Sequence, residues 1–421
     1  MKSFSVLSTL VVSSLISSVA AASSSAPIMA QYWPAYNSKL QAPGKVPFSY
    51  ADIAYYFVTP TTSTGFEVPP DQSIDDLTTF VSSAKAAGSK PVFSIGGWTG
   101  SLYFSSLTDT SAKRTKLAKD IKAFIEKYGF AGVDIDWEYP NGAGIGCNNP
   151  TSADSANLLA LLKLLRRSLE RSKLITAAVS TSGIFGEDGM ALNSFREFGT
   201  YLDYLNLMTY DVSGSWSPTT GPNSPLRTCK SDTSVQAAVK LWTSRGFPAS
   251  KILLGIPSYA VSFTTKSSSL TKTSISDGKW TSFLYQDWTG VTPKGAEGDS
   301  NAESTDICGN KASGYSGQWQ YSQLIEEGLL SSEGKTGLNG FKRRFDSCSQ
   351  TPFLFNPDKK QLIAYEDGQS AGVKAAWAKA NGLAGVMIFD STGFTTDALE
   401  AIKSNLYSRV TRRHEMLDLH A

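Results

Sequence analysis

Histidine is nearly missing from this chain. His414 and His420 are the only two in 421 residues, and both lie in the polar C-terminal tail. A Ser-His-Asp triad, a Cys-His pair or a His-ligated metal would have to borrow from that tail. Any catalysis must therefore run on carboxylates, tyrosines or lysines. Charge of one sign is also missing. The net charge is +2, and Lys and Arg are scattered rather than gathered into a stripe, which argues against nucleic-acid binding. Cysteine is scarce: Cys147, Cys229, Cys308 and Cys348 form no CxxC pair, so zinc and thioredoxin readings are poor. Long apolar runs are absent beyond the N-terminus. There, Lys2, the mostly apolar stretch 4–16 and the small-residue patterns at 18–20 and 20–22 predict a secretory signal peptide over 1–22. The run is short of the roughly 20 apolar residues that a membrane span needs. No membrane anchor is expected. An even cysteine count in a secreted chain favours two disulfides, with three connectivities open. The near-sequon Asn149-Pro150-Thr151 carries the excluded proline, so N-glycosylation is not expected.

Short β-rich runs alternate with amphipathic segments. The candidate strands are 28–32, 53–58, 91–95, 132–138, 174–180, 204–210, 252–256 and 385–389. Helical stretches include 109–128, 157–171, 235–245 and 370–381, and Leu117, Ile121, Phe124 and Ile125 recur at helical spacing. Eight βα units predict an α/β fold, a closed (β/α)8 barrel. The alternative is an open doubly wound sheet, but 28–34 leads into no phosphate-binding glycine loop. Gly142, Gly144 and Gly146 form a GxGxG run with no capped helix after it, which predicts a flexible loop. The stretch 264–344 breaks the rhythm, is rich in Ser, Thr, Gly and Asp, and is too long for an ordinary loop. The predicted layout is a barrel over 26–263 and 347–403, an inserted subdomain over 264–346, and a tail over 404–421. Cys308 and Cys348 bracket the second half of the insertion, which favours pairing them and leaves Cys147 to Cys229.

The run GVDIDWEYP, from Gly132 to Pro140, carries the chemistry. In a strand, residues i, i+2 and i+4 share a face. Asp134, Asp136 and Glu138 therefore face one way, and Val133, Ile135 and Trp137 the other. A solvated edge strand would be the bland alternative, but the apolar face implies burial on at least one side. In a parallel barrel the acids point inward, and Glu138 falls at the C-terminal end, where barrel active sites lie. Carboxylates this close cannot all ionise easily. A shared proton relieves the repulsion and raises one pKa toward the range of a general acid.

The stretch resembles the DGxDxDxE signature of family 18 glycoside hydrolases, the chitinases. The resemblance extends over nearly the whole mature chain. Ser94-Ile95-Gly96-Gly97-Trp98 is similar to the family's SxGGW strand, and Met208-Thr209-Tyr210-Asp211 to its MxYD strand. The resemblance implies a retaining hydrolysis assisted by the substrate's own 2-acetamido group, an exception to the usual paired-carboxylate scheme. Glu138 would protonate the glycosidic oxygen. Asp136 would hold the acetamido N–H and steer charge between Asp134 and Glu138. Tyr210 would hydrogen-bond the acetamido oxygen. Trp33, Trp98, Tyr139, Trp216 and Tyr259 are candidate cleft aromatics, with Met208 and Asp211 beside them and Phe389 at the floor. Trp137 would pack outward against a helix. Cys147 and Cys229 would brace the cleft rim.

Three departures stand out. The motif's first Asp is Ala131, whose parity is opposite to the acids. Phe389 stands where the family often has Trp. Val261 replaces an expected Arg. The implied activity is a secreted, monomeric chitinase that acts on chitin or its oligosaccharides, with no metal or organic cofactor. The alternatives are an endo-β-N-acetylglucosaminidase acting on N-glycans and a non-catalytic chitin-binding lectin on the same barrel.

Overall fold

The computed structural model describes residues 26–275 and 278–408. The expected signal peptide lies outside the described residues, as do His414 and His420. Eight parallel strands close into a barrel: β1 (Ile28–Pro34), β2 (Ile53–Thr59), β3 (Lys90–Gly96), β4 (Gly132–Asp136), β5 (Leu174–Ser180), β6 (Tyr204–Met208), β7 (Ile252–Pro257) and β8 (Gly385–Phe389). Each pairs with its neighbours in sequence, and β8 closes on β1. Helices cover the outside. The helix Ser111–Tyr128 is typical. Thr110 caps its start by accepting from the Lys113 N–H, Leu117, Ile121 and Ile125 are buried, and Gly129 ends it at φ 75°.

Strand parity divides the packing of the barrel strands into two cores. Ala30, Tyr32, Tyr55, Val92, Leu253 and Met387 fill the barrel interior. Trp33, Tyr56, Phe93, Val133, Ile135 and Trp137 face the helices. Trp137 is buried and stacks on Phe104 at 5.0 Å, as expected.

The insertion is wider than expected. Its five-stranded sheet takes in Tyr259–Thr264, Thr351–Asn356 and Gln361–Ala364, beside Trp319–Gln320 and Lys342–Asp346. The β-rich runs on either side of 264–346 pair antiparallel with each other, not with the barrel. They surround a core of their own that includes Val261, Phe263, Leu284 and Phe353. Val261 is therefore packing within the insertion. At the other end, the helix Thr396–Tyr407 continues beyond residue 403, where a tail was expected.

The disulfides correct the expected pairing. Cys147 bonds Cys308, and Cys229 bonds Cys348. Each bond links a loop of the barrel's C-terminal face to the insertion. The insertion folds back against that face, for instance through the Trp288 indole N–H donating to the Ser217 carbonyl at 2.8 Å. Its two cysteines lie on different hairpin turns, and each meets a barrel loop instead of its sequence neighbour.

Candidate active site

The site lies at the C-terminal mouth of the barrel, where β3, β4, β6 and β8 end. Strands β4 and β6 stop at Asp136 and Met208, two residues short of their expected ends. Glu138 and Tyr210 thus stand beyond the ladder. Loop groups take over from strand partners there. The Glu138 N–H donates to Ser101 Oγ at 3.0 Å, and its carbonyl accepts from Asn148 Nδ2 at 2.9 Å. The Asp211 N–H donates to Asn223 Oδ1 at 2.8 Å, and Asp211 adopts φ 55°. Two glycines make the close packing feasible. A Cβ on Gly96, at φ 110°, would lie 2.1 Å from the Asp136 carbonyl oxygen, and one on Gly255 would lie 2.9 Å from the Tyr210 ring.

The three acids have different surroundings. Asp134 is fully buried and its carboxylate is saturated. It accepts from Tyr32 Oη at 2.8 Å, Ser94 Oγ at 2.7 Å, Thr176 Oγ1 at 2.6 Å and Asn206 Nδ2 at 3.1 Å. Burial raises its pKa, and the four hydrogen bonds oppose the rise. Asp136 is equally deep, yet its Oδ1 is sealed from solvent with no hydrogen-bond partner. Burial, then Glu138, then Asp134 hold its pKa well above the carboxylate range. Glu138 is pushed up to about 7, first by burial; a hydrogen bond with Tyr139 opposes the rise and the Asp211 charge adds to it. One strand thus carries a saturated carboxyl, a carboxyl with a partnerless oxygen and an acid poised near neutral pH.

Aromatic rings surround the acids. Tyr210 stacks on Phe389 at 5.7 Å and meets Tyr259 edge-on at 6.2 Å. Phe389 also touches Tyr32 at 5.8 Å and Phe57 at 5.5 Å, so it forms part of the cleft floor. The Tyr259 hydroxyl donates to Asp211 Oδ1, tying the ends of β6 and β7 together. Met208 is half-buried at the tip of β6. Trp98 is 49% and Trp216 66% exposed, unusual for indoles, and the Trp216 ring lies over Gly214.

Trp33 is not part of the cleft. It is buried on the helix side, stacks on Phe80 at 5.4 Å, and donates its indole N–H to the Gln41 carbonyl at 3.0 Å. Parity explains the correction: Tyr32, one residue earlier, is the inward ring of β1. Tyr32, Thr176, Ser101 and Asn148 are site residues that the sequence reasoning missed. Strand parity was a usable signal for Tyr32 and Thr176. Nothing local marks Ser101 or Asn148, which sit in loops. Ala131 lies at the other end of β4, where its N–H donates to the Pro91 carbonyl at 2.6 Å, far down the strand from the acids.

Among the described residues, no group of three or more His, Cys, Asp or Glu side chains could hold a metal ion. The fold and site define the class: a (β/α)8-barrel glycoside hydrolase scaffold with its acids on β4. The family model for glycosyl hydrolases family 18 matches residues 28–393. The chain belongs to that family, within its chitinase group. It is 34% identical over 386 residues to a chitinase-like effector of Moniliophthora roreri, covering 90% of this chain and 92% of the relative. It is 27% identical over 330 residues to chitinase A1 of Niallia circulans, covering 74% and 41% of the two chains. The crystal structure of a Rhizomucor miehei chitinase superposes with a TM-score of 0.79 at 26% identity, over 90% of this chain and 99% of that one.

Proposed function

We propose that the protein hydrolyses β-1,4 bonds between N-acetylglucosamine units of chitin, with retention, through an oxazolinium ion. One observation carries the reading: the sealed, partnerless Oδ1 of Asp136, between a saturated Asp134 and a titrating Glu138. A buried acceptor without a donor is costly. An acetamido N–H arriving from the substrate removes that cost and fixes the acetamido group. The Tyr210 hydroxyl donates to the acetamido carbonyl oxygen and aims it at the anomeric carbon. Glu138 gives its proton to the glycosidic oxygen as the C–O bond breaks. The carbonyl oxygen closes on the anomeric carbon, and the net negative charge of the Asp134–Asp136 pair, which can share one proton, balances the resulting positive charge. Glu138, now a carboxylate, takes a proton from water, which opens the ring from the same face and yields the β anomer. Trp98, Trp216 and Phe389 offer ring faces to the apolar faces of the sugars.

The site needs groups from one chain, which suits a monomer. Two disulfides suit an oxidising, extracellular setting. A second reading, chitin binding without turnover, is favoured by the name chitinase-like effector that the Moniliophthora roreri relative carries. Hydrolysis of a chitin hexamer by wild type and Glu138→Gln, with product anomers followed by NMR, separates the two. Early β anomer from wild type alone supports the enzyme. Bound hexamer with no turnover from either refutes it.

A further inference from the structure

The GxGxG loop is unexplained by the proposed chemistry, yet it packs directly on the backbone of Glu138. Gly144 adopts φ 52°, and a Cβ there would stand 2.2 Å from the Glu138 carbonyl oxygen and 2.6 Å from Asn148 Nδ2. Asn148 is buried, and its Nδ2 donates to that carbonyl at 2.9 Å. Its Oδ1 is sealed and has no partner, so this single bond fixes the amide. Turning the amide over would set oxygen against oxygen. On the opposite side, Ser101 Oγ accepts from the Glu138 N–H, and its hydroxyl reaches the carbonyls of Gly97 at 2.8 Å and Asp136 at 3.0 Å. Glu138 is therefore gripped at both ends of its backbone.

A glycine-rich loop is a poor anchor by itself, because glycine loses the most freedom on ordering. Cys147, the neighbour of Asn148, supplies the missing constraint through Cys308. Cys308 sits on a hairpin (Ser304–Thr305, Lys311–Ala312) whose turn is held by Asp306 accepting from the N–H groups of Cys308 and Asn310. Every residue from 300 to 314 is exposed except Cys308, which is half-buried. Cys147 is half-buried too. The other disulfide differs, since Cys348 lies in the core of the insertion at 1% exposure.

We propose that Asn148 is a positioning residue for Glu138, kept in place by the Cys147–Cys308 disulfide, so that reducing this one bond slackens the acid. The inference rests on Glu138 being the acid of the proposed reaction. A dithiol supplies the electrons. Its thiolate attacks Cys308 Sγ, the Cys147 thiolate leaves and takes a proton, and the reagent's second thiol closes on the mixed disulfide. Two protein thiols and one cyclic disulfide result.

The test uses the full chain as wild type, Asn148→Ala, Cys308→Ser and the double variant. The Glu138 carboxyl is titrated by 13C NMR, with Glu138→Gln assigning the signal. Asp136, Asp211, Tyr139 and Tyr210 face this group and are left unchanged. Both single variants are expected to titrate about one pH unit lower, because a loosened carboxyl is better hydrated. The double variant should move no further than Asn148→Ala. Turnover of chitin hexamer should fall at least about tenfold at unchanged KM, within the up to about 100-fold that an ångström of misplacement costs. Dithiothreitol should reproduce the Cys308→Ser titration in wild type and leave Cys308→Ser itself unmoved. Wild-type titration in both single variants, or shifts that add in the double, overturns the inference. An inactive wild type with shifted titrations leaves the inference standing and refutes the hydrolase reading.

Discussion

Replacing Glu138 by Gln should stabilise the protein at alkaline pH while abolishing turnover. The side chain is buried, and its pKa rises from 4.5 unfolded to about 7 folded. The folded state therefore binds a proton more tightly than the unfolded chain. The stability this contributes is fully present below pH 4.5 and is lost as pH rises through 7. At about 1.4 kcal/mol per pH unit, the interval is worth about 3 kcal/mol. Glutamine keeps the shape and carries no charge to desolvate, so the variant avoids the loss. With an unfolding entropy of about 2.1 cal/mol/K per residue, that energy moves Tm by about 4 °C in a chain of this size. Scanning calorimetry at pH 4.5 and pH 8.5 is the assay. The variant's Tm relative to wild type should rise by about 4 °C between the two. An unchanged difference would mean that Glu138 titrates in the fold as it does in water, and the argument for a poised acid would fail.

Turnover should decline as pH rises through about 7, where Glu138 loses its proton; a pH–rate profile flat to pH 9 contradicts its role as the acid. Trp216→Ala should raise KM for long oligomers several-fold with little change in Tm, because the ring is 66% exposed; binding isotherms and a melt check both halves. Lys374→Met should destabilise the fold by about 3–5 kcal/mol. Lys374 Nζ is the ion partner of Glu366 Oε2 at 2.7 Å, and both side chains are fully buried; chemical denaturation measures the loss. Glu366 is already pushed up to about 7 by burial, against the pull of Lys374, so the loss should shrink at pH 5, where Glu366 can protonate.

Much of the barrel was legible because its signal is local. Eight apolar runs alternating with amphipathic helices need no tertiary information, and strand parity alone faced Asp134, Asp136 and Glu138 to one side. The same parity turns Trp33 outward, but the sequence shows an aromatic ring at both 32 and 33, and only the register of β1 separates them. Ser101 and Asn148 carried no signal, because loop residues obey no period. The insertion's borders were misjudged for a related reason. Strands that pair with each other across about 100 residues look locally like any others.

By itself the sequence determined the barrel, its acidic strand and the side chemistry cannot come from: with no histidine in the body of the chain, the work falls to carboxyls. Tertiary structure decided the surroundings of each acid. Asp134 differs from Asp136 in the four donors that reach it from β1, β3, β5 and β6, and no residue within their strand announces them. It also decided the disulfides. Two cysteines pair when folding brings their sulfurs together, and here the insertion carries Cys308 and Cys348 to separate loops on the barrel face. Hydrophobic period is written along the chain, whereas hydration and charge are fixed by neighbours in space.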